Sequence, residues 1–143
     1  MYRGEYSHTI DAKGRMSIPA KLKNQLGDSF VITRSMDGCL MAFDTEEWDK
    51  FEEKLKSLPF TNKDARTIVR YFTGGASDVD VDAQGRILVP AYLREYAGLT
   101  KDAVVIGMGN RVEIWSRERY EADATYDNMD EVAAALESMG ISF

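Results

Sequence analysis

The stretch Asp11-Ala12-Lys13-Gly14-Arg15-Met16-Ser17-Ile18-Pro19-Ala20-Lys21-Leu22 returns 71 residues later as Asp82-Ala83-Gln84-Gly85-Arg86-Ile87-Leu88-Val89-Pro90-Ala91-Tyr92-Leu93. The aspartate, the first alanine, the glycine, the arginine, the proline, the second alanine and the leucine recur in register, which marks an internal duplication. Within each copy the aspartate ahead of a Lys-Gly or Gln-Gly step reads as a turn. Its carboxylate can accept backbone N–H groups ahead of it, and glycine supplies positive φ without a steric penalty. The arginine then opens a short strand, Arg15-Met16-Ser17-Ile18 or Arg86-Ile87-Leu88-Val89. The proline that follows pre-sets φ for the start of a helix. The implied order is strand, turn, strand, proline, helix, twice over.

Working outward, Glu5 to Ile10 alternates as a strand leading into the first turn. Leu22 and Leu26 share a helical face, and Gly27 is placed to end that helix. Phe30-Val31-Ile32-Thr33 and Cys39-Leu40-Met41-Ala42-Phe43 flank Asp37-Gly38, a hairpin signal. Asp44 with Glu47 forms an N-terminal cap, and Trp48, Phe51, Leu55 and Leu58 follow at helical spacing up to Pro59. Asn62 or Thr61 can cap the next helix, whose Ala65, Ile68, Val69 and Phe72 form an apolar stripe ending at Gly74-Gly75. An amphipathic connector packs against something, so the halves are not expected to swing freely. The second half repeats the plan with Asp78 to Asp82 as a strand and with Ala103 to Ile106 and Val112 to Trp115 flanking Gly107-Met108-Gly109-Asn110. Ser116 can cap a helix through Tyr120. The tail from Asp127 to Met139 reads as a further amphipathic helix with Met129, Val132, Ala133, Leu136 and Met139 on one side. That stripe either closes the core or docks on a neighbouring subunit.

Each half spans only about 50 residues of regular pattern, a size at which a separate core is marginal, so the halves are expected to share one. Hydrophobic residues make up 44% and charged residues 29% of the chain, ordinary values for a soluble globular protein. The single cysteine, Cys39, cannot form an internal disulfide, and one thiol with one histidine cannot build a zinc site within a subunit. No apolar run reaches membrane-spanning length and the N-terminus lacks a signal peptide's apolar segment, so a cytosolic location is expected. A net charge of −6 argues against a generic nucleic-acid binder. The charge is segregated, however. Residues 1 to 36 carry Arg3, Lys13, Arg15, Lys21, Lys23 and Arg34 against Glu5, Asp11 and Asp28, whereas Asp44, Glu46, Glu47, Asp49, Glu52 and Glu53 crowd the next segment. A locally basic face is therefore open to the chain.

No catalytic constellation emerges. The motif carboxylates sit beside arginines, which favours ionisation and suits neither a general acid nor a general base near neutral pH. His8 has no partner for a catalytic pair, and Gly107-Met108-Gly109 lacks both the third glycine and the following helix of a nucleotide loop. Asp78, Asp80 and Asp82 share a strand face and are the one candidate set for magnesium, against the simpler expectation that they are exposed. For the arginines there are two readings. Each can merely pair with its aspartate in the turn. Alternatively, two guanidinium forks on one β surface could match the O6/N7 edge of guanine in a major groove.

The duplicated order resembles the looped-hinge half-barrel of the AbrB/SpoVT/MazE superfamily, and nearly the whole chain is similar to the MraZ family of bacterial regulators, which have two such halves. The resemblance rests on Tyr2-Arg3-Gly4 ahead of the first Asp-x-x-Gly-Arg, on Phe72-Thr73-Gly74-Gly75-Ala76 ahead of the second, and on Glu113-Ile114-Trp115 closing the second half. It implies an α+β fold in which duplicated looped-hinge halves share a β-barrel core with flanking amphipathic helices. The chain would divide into a first half at 5–47, a helical connector at 48–75, a second half at 76–119 and a helical tail at 120–143. The family implies a non-enzymatic, sequence-specific DNA-binding transcriptional regulator. It would bind repeated promoter sites upstream of the division and cell-wall gene cluster, its own gene included, and be cytoplasmic and nucleoid-associated.

Carried onto this chain, the resemblance makes Arg15 and Arg86 the base-reading residues, with Asp11, Gly14, Asp82 and Gly85 shaping the turns that orient them. Lys13, Lys21, Lys23 and Arg94 are phosphate contacts by charge and proximity. Gln84 replaces Lys13 in the second copy, so the copies are expected to contribute unequally. Family members assemble into rings, commonly octamers, and linked sites raise effective concentration, with gains of roughly 10² to 10⁴. The expected partners are double-stranded DNA and further copies of the chain, with no membrane, small-molecule substrate, metal or cofactor. The alternative is an antitoxin-like or other protein-interaction module of the same fold. Such antitoxins usually carry one half and a disordered acidic tail, whereas this chain has two halves and an amphipathic tail.

Overall fold

The duplication is visible in the computed structural model, which describes residues 1–143. The first half contributes β1 (Glu5–Thr9), β2 (Arg15–Ser17), α1 (Ala20–Leu26), β3 (Ser29–Arg34) and β4 (Leu40–Phe43). The connector holds α2 (Thr45–Lys56) and α3 (Lys63–Phe72). The second half repeats the series as β5 (Ser77–Asp80), β6 (Arg86–Leu88), α4 (Ala91–Ala97), β7 (Asp102–Gly107) and β8 (Val112–Ser116). Two helices follow, α5 (Arg117–Asp123) and α6 (Met129–Ser138).

Successive side chains point to opposite faces of a strand, so the edge strands β1 and β5 alternate in burial whereas β4 and β8 are buried on both faces. The strands form a six-stranded antiparallel sheet in the order β1-β7-β8-β4-β3-β5, with β2 and β6 as a separate two-stranded ribbon. The halves exchange strands: β1 of the first pairs with β7 of the second, and β5 of the second pairs with β3 of the first. The expected β-barrel does not close, since β1 and β5 are the two edges of an open sheet. The reason lies in how the ribbon meets the sheet. It presses the buried side chains of Met16 and Ile87 inward and joins β1 through one isolated bridge, Ile10 to Met16, rather than through a ladder.

The inner face of the sheet supplies Phe30, Ile32, Leu40, Ala42, Val105 and Ile114 to a cluster of 20 buried residues that draws on both halves. Leu22 and Leu26 on α1, and Leu93 and Ala97 on α4, close it from the other side. One shared core therefore does what neither half could do alone. On the outer face, Val31, Met41 and Phe43 are covered by Trp48, Leu55 and Phe72 of α2 and α3. Val104, Trp115 and Cys39 form a smaller cluster beside α5, with Tyr120 packed against it.

The connector is fastened at both ends. Asp44 caps α2 by accepting from the Glu47 amide at 2.8 Å, and Asn62 caps α3 by accepting from Ala65 at 3.0 Å. Thr33 Oγ1 donates to the Phe72 carbonyl at 2.7 Å, and the hydroxyls of Tyr71 on α3 and Tyr96 on α4 both donate to the Ser35 carbonyl. The first two bonds tie α3 to the first half, and the Tyr71 hydroxyl also lies 2.7 Å from that of Tyr96 in the second, so the connector is not a free tether. Two expectations need correction. Leu58, assigned to the apolar stripe of α2, lies past that helix's end and is exposed. The tail helix α6 buries no residue, so its stripe does not close this chain's core. No helix is long and apolar enough to cross a membrane.

Candidate nucleic-acid interface

The two motif turns are built bond for bond alike. In the first, Asp11 Oδ1 accepts from the amides of Lys13 and Arg15, each at 2.9 Å, while Asp11 Oδ2 accepts from Arg15 Nε at 2.7 Å. In the second, Asp82 Oδ1 accepts from the amides of Gln84 and Arg86, each at 2.9 Å, and Oδ2 accepts from Arg86 Nε at 3.2 Å. Gly14 and Gly85 sit at φ 91° and 77°, where a side chain would be strained. The Arg15 amide and then its guanidinium and the Lys13 amide hold the Asp11 carboxyl down to about 2, and the Asp82 carboxyl is lowered by the same kind of bonds, led by the Arg86 amide. Both carboxylates thus stay ionised at any physiological pH, as structural acceptors.

Each turn is locked to the other half. The Gly14 carbonyl accepts from the Val89 amide at 2.9 Å, and the Gly85 carbonyl accepts from the Ile18 amide at 3.0 Å. Between these bonds the ribbon pairs Arg15 with Leu88, Met16 with Ile87 and Ser17 with Arg86. Directly opposed residues share a face and neighbours along a strand alternate. Arg15, Ser17, Arg86 and Leu88 therefore project from one face, while Met16 and Ile87 fill the core from the other. Arg15 and Arg86 are diagonal neighbours across the pair, a relation that places such residues about 7–8 Å apart.

Each guanidinium commits its Nε to its aspartate, and its two terminal nitrogens make no hydrogen bond within the chain. The arginine side chains are 37% and 28% exposed, half-buried with Nε held by the aspartate. Such a group is pre-oriented, so little rotamer freedom is left to lose when a planar acceptor edge is bound. The two sequence readings of the arginines are compatible: the pairing with aspartate is present, and it leaves the fork free.

The other basic candidates are placed differently. Lys13 is exposed in the first turn, Lys21 is exposed in the first turn of α1, and Lys23 is half-buried further along the same helix. Arg94 is half-buried and donates from Nε to the Val89 carbonyl at 3.0 Å. It lies over Gly14, where an added Cβ would come within 2.6 Å of that Nε. Arg94 is thus a clamp on the first turn as well as a nearby cation. A Cβ added at Gly85 would meet nothing within 4 Å, so the second turn is the more open on that side as well as the less basic.

Ser17 and the exposed Leu88 (57%) share the arginines' face and were not singled out from the sequence. Their position two residues after each motif arginine was the signal, because a strand returns to the same face at that spacing. The remaining candidates do not assemble. Asp78 and Asp80 stand on the edge strand β5, Asp80 accepting from Ser29, while Asp82 lies beyond that strand in its turn. No group of three or more His, Cys, Asp or Glu side chains is placed to hold a metal ion. Burial lowers the pKa of His8 and pushes the Cys39 thiol up to about 12, as expected of packed residues.

Comparison with known proteins gives one consistent result. The family model described as "MraZ protein, putative antitoxin-like" matches twice, over residues 1–71 and 72–139. The chain is 52% identical over 143 residues to a transcriptional regulator MraZ from Lachnoclostridium phytofermentans, covering 100% of both chains. It is 50% identical to the protein of that name from Halothermothrix orenii over 99% of this chain and 100% of the relative. It is 54% identical to the one from Heliobacterium modesticaldum over 95% of this chain and 96% of the relative.

Proposed function

Since the chain belongs to the MraZ family, whose relatives carry the name transcriptional regulator, we propose that it is a non-enzymatic, sequence-specific DNA-binding regulator whose β2–β6 ribbon enters the major groove. The observation that carries this reading is the shared outward face of Arg15 and Arg86, each aimed by its own aspartate and backed by buried Met16 and Ile87. A two-stranded ribbon is narrow enough for a major groove, and each arginine fork matches guanine O6 and N7. Lys13, Lys21 and Lys23 flank the ribbon as phosphate contacts that set register without reading bases. Arg94 supports this indirectly by bracing the first turn, and Leu88 offers an apolar contact of the kind that meets a thymine methyl.

On this reading the DNA-facing units are 5–47 and 76–119, joined by 48–75 and followed by 120–143. An acidic chain with few cations on one reading surface gains most from multivalency, so the working form is a homo-oligomer, a ring such as an octamer. It would engage repeated promoter sites upstream of the division and cell-wall gene cluster, its own gene among them, in the cytoplasm on the nucleoid. The test is interference mapping on the DNA upstream of the protein's own gene. Methylation of guanine N7 within each repeat should block binding, and one repeat alone should bind roughly 10²-fold or more weakly than the tandem array. Binding indifferent to N7 methylation would remove the major-groove reading. Equal affinity for single and tandem repeats would remove the multivalent one.

A further inference from the structure

The chain exposes two apolar surfaces that none of its own residues cover. One is the tail: α6 buries nothing, Met129, Val132 and Met139 along it are exposed, and Ile141 and Phe143 follow, Phe143 at 96%. The other is a groove between α2 and α3, lined by Leu55, Leu58, Val69 and Phe60, the last 82% exposed. Their charges are opposite. From Tyr120 to Phe143 the chain carries Glu121, Asp123, Asp127, Asp130, Glu131 and Glu137 and no lysine, arginine or histidine. In the groove's lining one acid, Glu52, stands against Lys56, Arg66 and Arg70, the two arginines one turn apart on α3, so the lining is positive on balance; Lys56 is shared between Glu52 at 3.9 Å and Glu53 at 3.8 Å.

We propose that α6 of one copy lies in the α2–α3 groove of a second copy. Met129, Val132, Leu136 and Met139 recur at the three- and four-residue spacing of a helix that lays one face into a groove. Asp130 and Glu137, two turns apart, border one edge of that stripe and can meet Arg66 and Arg70. Within its own chain the tail remains undocked although only the five residues 124 to 128 separate α5 from α6, so the groove's matching surface comes from another molecule. This inference deepens the homo-oligomer part of the proposed function and is independent of the DNA reading.

The test uses the full chain. A benzophenone photocrosslinker replacing Val132 is introduced, and protein in ordinary and in heavy nitrogen is co-refolded as a mixture. Crosslinks should join α6 to residues 52–73 of a chain carrying the other isotope. The double variant Arg66→Glu with Arg70→Glu should reduce that yield about tenfold or more, and adding Asp130→Arg with Glu137→Arg should restore it, because like charges across an interface exclude a pairing that opposite charges favour. Both pairs are exposed, so the fold is not at risk. Crosslinks confined to a single isotope, or landing elsewhere, overturn the inference. Light scattering on the same samples separates the failures. A multimeric mass without groove crosslinks defeats the tail contact alone, whereas a monomeric mass defeats the oligomer with it.

Discussion

Asp11 and Asp82 each open a turn, orient an arginine and remain charged, and their ionisation makes these roles measurable. The Asp11 carboxyl is lowered in the folded chain from the ordinary 3.8 to about 2, chiefly by the Arg15 amide. A group whose pKa is depressed by folding contributes its stability in full above its unfolded value and loses it as pH falls toward its folded value. The wild-type melting temperature should therefore decline between pH 4 and pH 2 in part through these turns, and Asp11→Asn with Asp82→Asn should flatten that portion while lowering stability at pH 7. A carboxyl resonance of Asp11 that titrates at the ordinary aspartate value would contradict this. At the glycines, the positive φ makes Gly85→Ala cost about 1–3 kcal/mol by denaturant unfolding. Gly14→Ala should cost more, because its Cβ would also meet the Val89 carbonyl at 3.0 Å and the Arg94 guanidinium; equal costs would show that these contacts yield freely. The aspartate and glycine roles were legible in the sequence because they are made within five residues of chain. The clamp by Arg94 was not, since it joins α4 of one half to the turn of the other.

Among the elements, the β2–β6 ribbon bears the greatest consequence for its size. Three residues per strand would not hold as an isolated two-stranded ribbon, and burial of Met16 and Ile87 against the sheet is what secures them. Met16→Ala or Ile87→Ala should destabilise the protein by about 2–5 kcal/mol, whereas Ser17→Ala and Leu88→Ala on the opposite face should stay within about 0.5 kcal/mol by urea unfolding. Comparable losses on both faces would mean that the ribbon is not seated as described. Alternation and capping residues made the strands and helices readable, including the caps at Asp44, Asn62 and Ser116. Pairing partners were not readable, because a period of two fixes which face is buried but not which strand lies alongside. Strand exchange between β1 and β7 and between β3 and β5 therefore came only with the fold, and so did the failure of the sheet to close. Leu58 misled for a related reason: helical spacing continued for one apolar residue beyond the last turn that Pro59 allows.

At the scale of the whole molecule, a net charge of −6 is compatible with the proposed DNA-facing surface because acid and base are segregated. The acids gather on α2 and along the tail, while the ribbon and α1 keep Arg15, Arg86, Lys13, Lys21 and Lys23. The duplication bears directly on that proposal, since two copies of one turn brought together by the ribbon give two guanidinium forks on a single face. That convergence could be anticipated from the repeat, but the face could not be assigned until Met16 was seen opposite Ile87. The most direct measurement is a titration of promoter DNA carrying the repeats, at fixed salt, with wild type and with the Arg15→Ala, Arg86→Ala double variant, its fold verified by its melting curve. Each arginine should account for about 1–3 kcal/mol of specific affinity, leaving the variant with weak, sequence-indifferent binding. A folded double variant that binds the repeats as tightly as wild type would contradict the account.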